Sequence, residues 1–228
     1  MKELNLTSDD VHDAFGNALF VFFIQGTLIF ILGLIIVNHQ DGFKIILPPN
    51  VSVFGARFVC SILMHLQVEG DMRQGLQMMK YVTNHSKDFS NPYYAFSIAL
   101  MQSLGGLASE ISCMIFLCSL ADPINVIIRL VAFASIGKVD NFYASALSPD
   151  HKLKQDSSPL VIKNHRADEE LKKDRPAGIA VSRFIYKLMR MLYTSFIFYF
   201  LPYLVLFIPQ FGATSAWVTS LIEPRYTV

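Results

Sequence analysis

Charge is what this chain has least of. Asp, Glu, Lys and Arg make up 16% of its 228 residues, against about a quarter in an ordinary soluble domain. That small charge also balances to a net +1, and no basic groove with interleaved aromatics occurs, so no nucleic-acid partner is expected. Cysteine is scarce and poorly placed for chemistry. Cys60, Cys113 and Cys118 all fall inside apolar stretches, which leaves neither a disulfide framework nor a CxxC metal pair. The six His residues show no paired spacing for zinc or haem. HExxH, GxSxG and Gly-rich phosphate loops are missing, so neither catalysis nor a cofactor is expected. No repeat of fixed period is visible, which argues against a transporter built from inverted repeats.

What is abundant is apolar side chain: 53% of residues are hydrophobic and 19 are Phe. A helix crossing a hydrocarbon core of about 30 Å needs about 20 mainly apolar residues. Residues 14–37 and 191–211 meet that requirement without ambiguity, and 93–121 forms a third candidate. The leader before the first carries Asp9, Asp10 and Asp13 against Lys2, the wrong charge for a cleaved signal, so this segment is expected to stay as an anchor. Residues 51–67 are shorter and contain Arg57 and His65, but the helical pattern runs on towards Tyr81, as in a helix that emerges from the bilayer. Residues 124–139 follow an Asp122-Pro123 breaker and carry Arg129 and Lys138.

Placement of Lys and Arg favours five spans over four. With 124–139 spanning, the Arg73/Lys80/Lys87 loop and the basic stretch from Lys138 to Arg190 fall on one side, the cytoplasmic one by the positive-inside rule. The fold class expected is therefore all-α, a polytopic transmembrane helical bundle of five spans, four being the alternative. A membrane domain covers 1–147, with helices near 14–37, 51–67, 93–121 and 124–139. A polar cytoplasmic loop at 148–176 follows, mixing charges with Pro and Ser. An amphipathic helix and the final span occupy 177–212, with Pro202 expected to kink the span, and 213–228 form a short tail. Its last residues, Arg225 to Val228, resemble a PDZ-type peptide ending, although this topology places them outside. Of the sequons at Asn5, Asn50 and Asn84, only Asn50 would face out.

The residue that demands explanation is Glu110, inside an uncharged run. On a wheel of 100° per residue, Gln102, Ser103, Gly106, Ser109, Glu110 and Cys113 share one small, polar third of the helix. Leu, Ile and Met fill the remainder. Roughly twelve large apolar residues at about −0.3 to −0.6 kcal/mol each outweigh a central charge near +3, so the helix still inserts. The polar face must point at protein or water. Two uses compete. An intramembrane carboxylate marks an ion path or proton relay by default; alternatively it is an ion pair that locks helices, with Arg57 and Arg129 at comparable depth as the partners.

Arg57, Ser61, His65, Glu69 and Arg73 recur every four residues and form a slowly winding stripe, which suits i,i+4 pairing of Glu69 with Arg73 or a vestibule carrying His65. Gln25 is expected to tie helices, and Asp140 to cap or to face a pathway. The functional expectation is a subunit of an oligomeric ion channel or ion-translocating assembly, embedded in a lipid bilayer beside copies of itself or other membrane subunits. Its candidate pathway or ion-pair residues are Glu110, Arg57, Arg129, Gln102, Ser103, Ser109 and His65. The alternative is a non-catalytic structural subunit of a larger membrane complex.

Overall fold

The computed structural model describes residues 8–37, 45–147 and 176–211. Every regular element among them is helical, and the architecture is an all-α bundle. Four helical runs are long and apolar enough to cross a membrane: His12–Leu34, Val51–Asn84, Pro92–Leu117 and Ala177–Phe211. The fold is that of a multi-pass membrane protein.

Helix starts follow simple chemistry. Helix α1 (Ser8–Val37) is followed by α2 (Val51–Asn84), whose first turn is capped by the Asn50 carbonyl oxygen accepting from the Val53 amide at 2.9 Å. Asn91 does the same for α3 (Pro92–Leu117), and Asp122 for α4 (Pro123–Gly137). Both precede a Pro at the first helical position, which has no N–H to satisfy. A short helix α5 (Val139–Ala146) continues from α4 after a break at Lys138. Pro176 opens α6 (Ala177–Leu192).

Contacts fix the path of the chain. The start of α1 lies beside the start of α3, with the Phe15 and Tyr94 rings stacked 4.6 Å apart; this is termed the lower end. At the upper end the Ile46 amide donates to the Cys118 carbonyl at 3.2 Å, joining the segments that precede α2 and follow α3. Helix α4 is only 15 residues long, about 22 Å, too short to cross alone. It descends from the upper end, and Gln67 Nε2 donates to its Ala134 carbonyl at 2.9 Å. Helix α5 completes the return, with the Tyr143 hydroxyl donating to Asn17 at 2.7 Å beside the foot of α1. The chain thus makes four long helical runs, which alone are long and apolar enough to cross a membrane, and one shorter return through the broken α4–α5 pair.

The closing run is not one α-helix. It passes through a π-helical turn at Tyr193–Ile197 and a 3₁₀ turn at Leu201–Tyr203, where Pro202 lies. Ser61 of α2 donates to the Pro202 carbonyl at 2.5 Å. The tightest seam is α2 against α3. A Cβ on Gly75 would lie 3.0 Å from the Ala99 carbonyl oxygen and would collide with Ser103 Oγ, so small residues set that approach. Much of the small, polar face of α3 is covered by α2 of the same chain. Large apolar residues left exposed on α1, among them Phe20, Phe23 and Phe30, suit contact with lipid.

Candidate functional site

Glu110 sits on α3 seven residues before Leu117, about two helical turns from that helix end. It is fully buried. Its partner is His65 of α2, whose Nδ1 lies 2.6 Å from Glu110 Oε1. His65 is itself only 6% exposed, so neither group reaches bulk solvent. The bond holds a proton between two elements, whether imidazolium faces carboxylate or a neutral ring N–H donates.

The expected pairing of Glu110 with Arg57 or Arg129 does not form. Arg57 donates from Nη1 to the Ile46 carbonyl and from Nη2 to the Leu120 carbonyl, each at 2.9 Å, and it is buried at the upper end. The reason is geometric: α2 begins about two turns further up than α3 ends, so Arg57 is level with the segment after Leu117 and His65 is level with Glu110. Arg129 lies half-buried on α4, and Glu110 makes no bond to it, since its second oxygen has no partner among the described residues.

That second oxygen is the chemically informative atom. Among the described residues, Glu110 Oε2 and His65 Nε2 are both buried without a hydrogen-bond partner, as is the hydroxyl of Tyr193. Tyr193 belongs to the π-helical turn, and Phe198 bridges it to the pair, its ring centroid 6.2 Å from Tyr193 and 5.4 Å from His65. An orphaned buried polar atom costs about 1–3 kcal/mol. π-Turns recur where a helix is adapted for function.

A separate cavity of about 370 Å³ lies between α1, α2, α3 and α5, and neither His65 nor Glu110 lines it. It is lined by Asn17 and Gln25 from α1, Gln102 and Ser109 from α3, Asp71 from α2, and Asp140 and Tyr143 from α5. It extends from Ala14 and Leu147 near the lower end to Ser109, the residue adjoining Glu110 in the chain. Two carboxylates therefore face a space with polar amides and apolar walls, the usual composition of a small-ligand site. Asp140 Oδ1 is buried and unbonded among the described residues.

The polar stripe on α3 is split by this geometry. Gln102 and Ser109 line the cavity, whereas Ser103 is sealed against α2, its hydroxyl donating back to the Ala99 carbonyl at 3.0 Å. Gln25 donates to the Ile136 carbonyl at 3.4 Å, tying α1 to α4 while lining the cavity. Glu69 bonds Arg73 at 2.5 Å on one side of α2. Asn50 is engaged as a cap, Asn84 is buried, and Asn5 and the 213–228 tail lie outside the described residues, as does most of 148–176. Sequence reading missed Asp71, Asn17 and Tyr143. Asp71 carried a weak signal, a carboxylate one turn beyond Gln67 on a helix already bearing a polar stripe.

Among the described residues no group of three or more His, Cys, Asp or Glu side chains is arranged to hold a metal. Comparison with protein families, with curated proteins and with solved structures yields no match.

Proposed function

We propose that this membrane protein translocates a cation or proton, as a channel-forming or carrier subunit, with the His65–Glu110 pair as its titratable element and the α1/α3/α5 cavity as its vestibule. The observation that carries the reading is a buried acid–base pair on two long apolar helices, whose outer atoms, Glu110 Oε2 and His65 Nε2, have no partner among the described residues. A purely structural pair would gain from satisfying them. A relay uses them, because a proton delivered to one of them by a water or side chain crosses the central bond and is released from the other to the next acceptor.

Seven described basic residues, Arg73, Lys80, Lys87, Lys138, Arg183, Lys187 and Arg190, lie toward the lower end; only Arg57 and Arg129 lie toward the upper. That bias supports reading the lower end, and with it the vestibule, as the cytoplasmic side. Above the pair, Met64, Cys113, Met114 and Leu117 are fully or nearly fully buried, and Arg57 ties the upper segments together. The arrangement suits a state accessible from the cytoplasm and closed opposite.

The competing reading is a structural subunit, favoured by the close α2–α3 seam. The two differ in where water goes. In a background lacking the native cysteines, Gln102→Cys and Ser109→Cys should react with a water-soluble thiol reagent applied from the lower end, while Ser103→Cys stays inert. Equal inertness at all three positions would leave the seam and remove the vestibule.

A further inference from the structure

The closing run meets α2 in register. Ser61 bonds the Pro202 carbonyl, the His65 and Phe198 rings lie 5.4 Å apart, and Glu69 shares a groove with Tyr193. Each step of four residues down α2 is thus matched by a step down the run, from 202 to 198 to 193. The last step is five residues long, and the π-helical turn accommodates it. In an α-helix, residues five apart stand about 140° apart on the wheel. Here the Phe198 amide donates to the Tyr193 carbonyl, and this wider turn brings both rings towards α2. Tyr193 is thereby held about one turn below His65, with Phe198 between them.

That placement gives Tyr193 two neighbourhoods. It is only 6% exposed, and its hydroxyl is buried with no hydrogen-bond partner among the described residues. Glu110, Glu69 and Arg73 all act electrostatically on that hydroxyl, the first from the pair and the other two from the groove. The groove has a volume of about 490 Å³, room for several water molecules at about 30 Å³ each. Its charged lining residues, among those described, are Glu69 and Arg73, bonded to each other, with Lys80 and Arg190 towards the lower end. The α1/α3/α5 cavity offers the pair no such contact, since neither His65 nor Glu110 lines it.

We infer that Tyr193 is the proton relay between the α2/α6 groove and the His65–Glu110 pair. The inference rests on the reading of that pair as the titratable element, and it gives protons a route separate from the vestibule. A phenol both donates and accepts, so it conducts without a net change of charge. Its oxygen accepts a proton from a hydronium ion in the groove while its own proton passes to Glu110 Oε2, directly or through one water. The hydroxyl is regenerated, the hydronium becomes water and the carboxylate becomes a carboxylic acid; rotation about the C–O bond resets the relay. Phenylalanine in its place keeps the ring beside Phe198 and loses only this step.

The test follows protonation of Glu110 after a pH jump, in the full chain in detergent, through the carboxyl infrared band that Glu110→Gln removes. Rates are compared at equal displacement from each variant's own titration midpoint, so that a shifted equilibrium is not read as a lost route. Tyr193→Phe should slow protonation about 10-fold or more, with its unfolding midpoint unchanged or raised, because the hydroxyl it deletes is an orphan. Tyr203→Phe, which removes a hydroxyl from the same run outside the groove, should keep the wild-type rate. In a background lacking the native cysteines, Gln77→Cys carrying a bulky thiol adduct fills the groove and should slow protonation by a similar factor. That second variant keeps the test decisive if Tyr193→Phe does not fold. Absence of flux through wild-type protein in liposomes, with the Tyr193 dependence of protonation intact, would remove translocation and support the relay. A wild-type rate in folded Tyr193→Phe, or with the groove filled at Gln77→Cys, would overturn the relay, as would a Glu110 band that does not respond to pH.

Discussion

A carboxylate fully buried in a membrane helix is stable only with a partner, and here the partner is an imidazole two turns along the same stripe of α2 that carries Arg57. The pairing makes a quantitative prediction. Glu110→Ala and His65→Ala should each lower stability in detergent by roughly 1–3 kcal/mol, because each strands one buried polar group. The double variant should then lose less than the sum, with a coupling on the order of 0.5–3 kcal/mol. Glu110→Ala combined with Arg57→Ala should be additive within about 0.5 kcal/mol. Additivity for His65, or strong coupling to Arg57, would contradict the geometry. Glu110 was legible in the sequence as a site because an isolated carboxylate in an apolar run is expensive. Its partner was not, because sequence places residues along a helix but not helices against one another, and α2 and α3 do not start from a common plane.

At the level of elements, the bundle depends on close approach and on ties between helix ends. Gly75→Ala would drive a Cβ to 3.0 Å from the Ala99 carbonyl oxygen, an atom of a rigid helix backbone. Alanine would gain up to about 1 kcal/mol in helix propensity, but overpacking of about 1–3 kcal/mol should exceed it. A lowered unfolding midpoint checks this, and an unchanged or raised one would show that α2 and α3 can separate freely. Arg57 binds two carbonyls with separate nitrogens, a fork that lysine cannot reproduce. Arg57→Lys should therefore speed amide exchange in residues 45–50 and 118–122 while leaving α2 protected below it. The long apolar helices and the small face of α3 were readable from length and periodicity, and the Asp122-Pro123 pair as a break; the caps at Asn50, Asn91 and Asp122 emerge only in the structure. The split of α4 from α5 and the π-turn at Tyr193–Ile197 were not, since both arise from how neighbours pack rather than from local composition.

For the molecule as a whole, four long helical runs and the α4–α5 return gather most of the described basic residues at one end of the bundle. With Cys60, Cys113 and Cys118 replaced by Ser, an impermeant thiol reagent outside intact cells or sealed vesicles of plasma-membrane-like orientation should label Pro49→Cys and Asp122→Cys. It should spare Ser90→Cys and Ser145→Cys until the membrane is opened. Labelling of Ser145→Cys together with Asp122→Cys would mean that α4 and α5 do not return the chain across the bilayer. The cavity that gives this architecture its functional interest could not be read from the sequence, because its carboxylates, Asp71 and Asp140, come from different helices that only the tertiary packing brings to one space.

The most direct test of translocation through the His65–Glu110 pair is ion flux into liposomes carrying the purified protein, followed at several pH values for wild type, Glu110→Gln and His65→Gln. Pairing within hydrogen-bond distance and unfilled outer atoms predict measurable flux in wild type and a loss of 10-fold or more in both variants, with folding verified by unaltered elution and helicity. Flux that persists unchanged in Glu110→Gln, or its absence from well-folded wild-type protein, would contradict the account and leave the pair as a lock between α2 and α3.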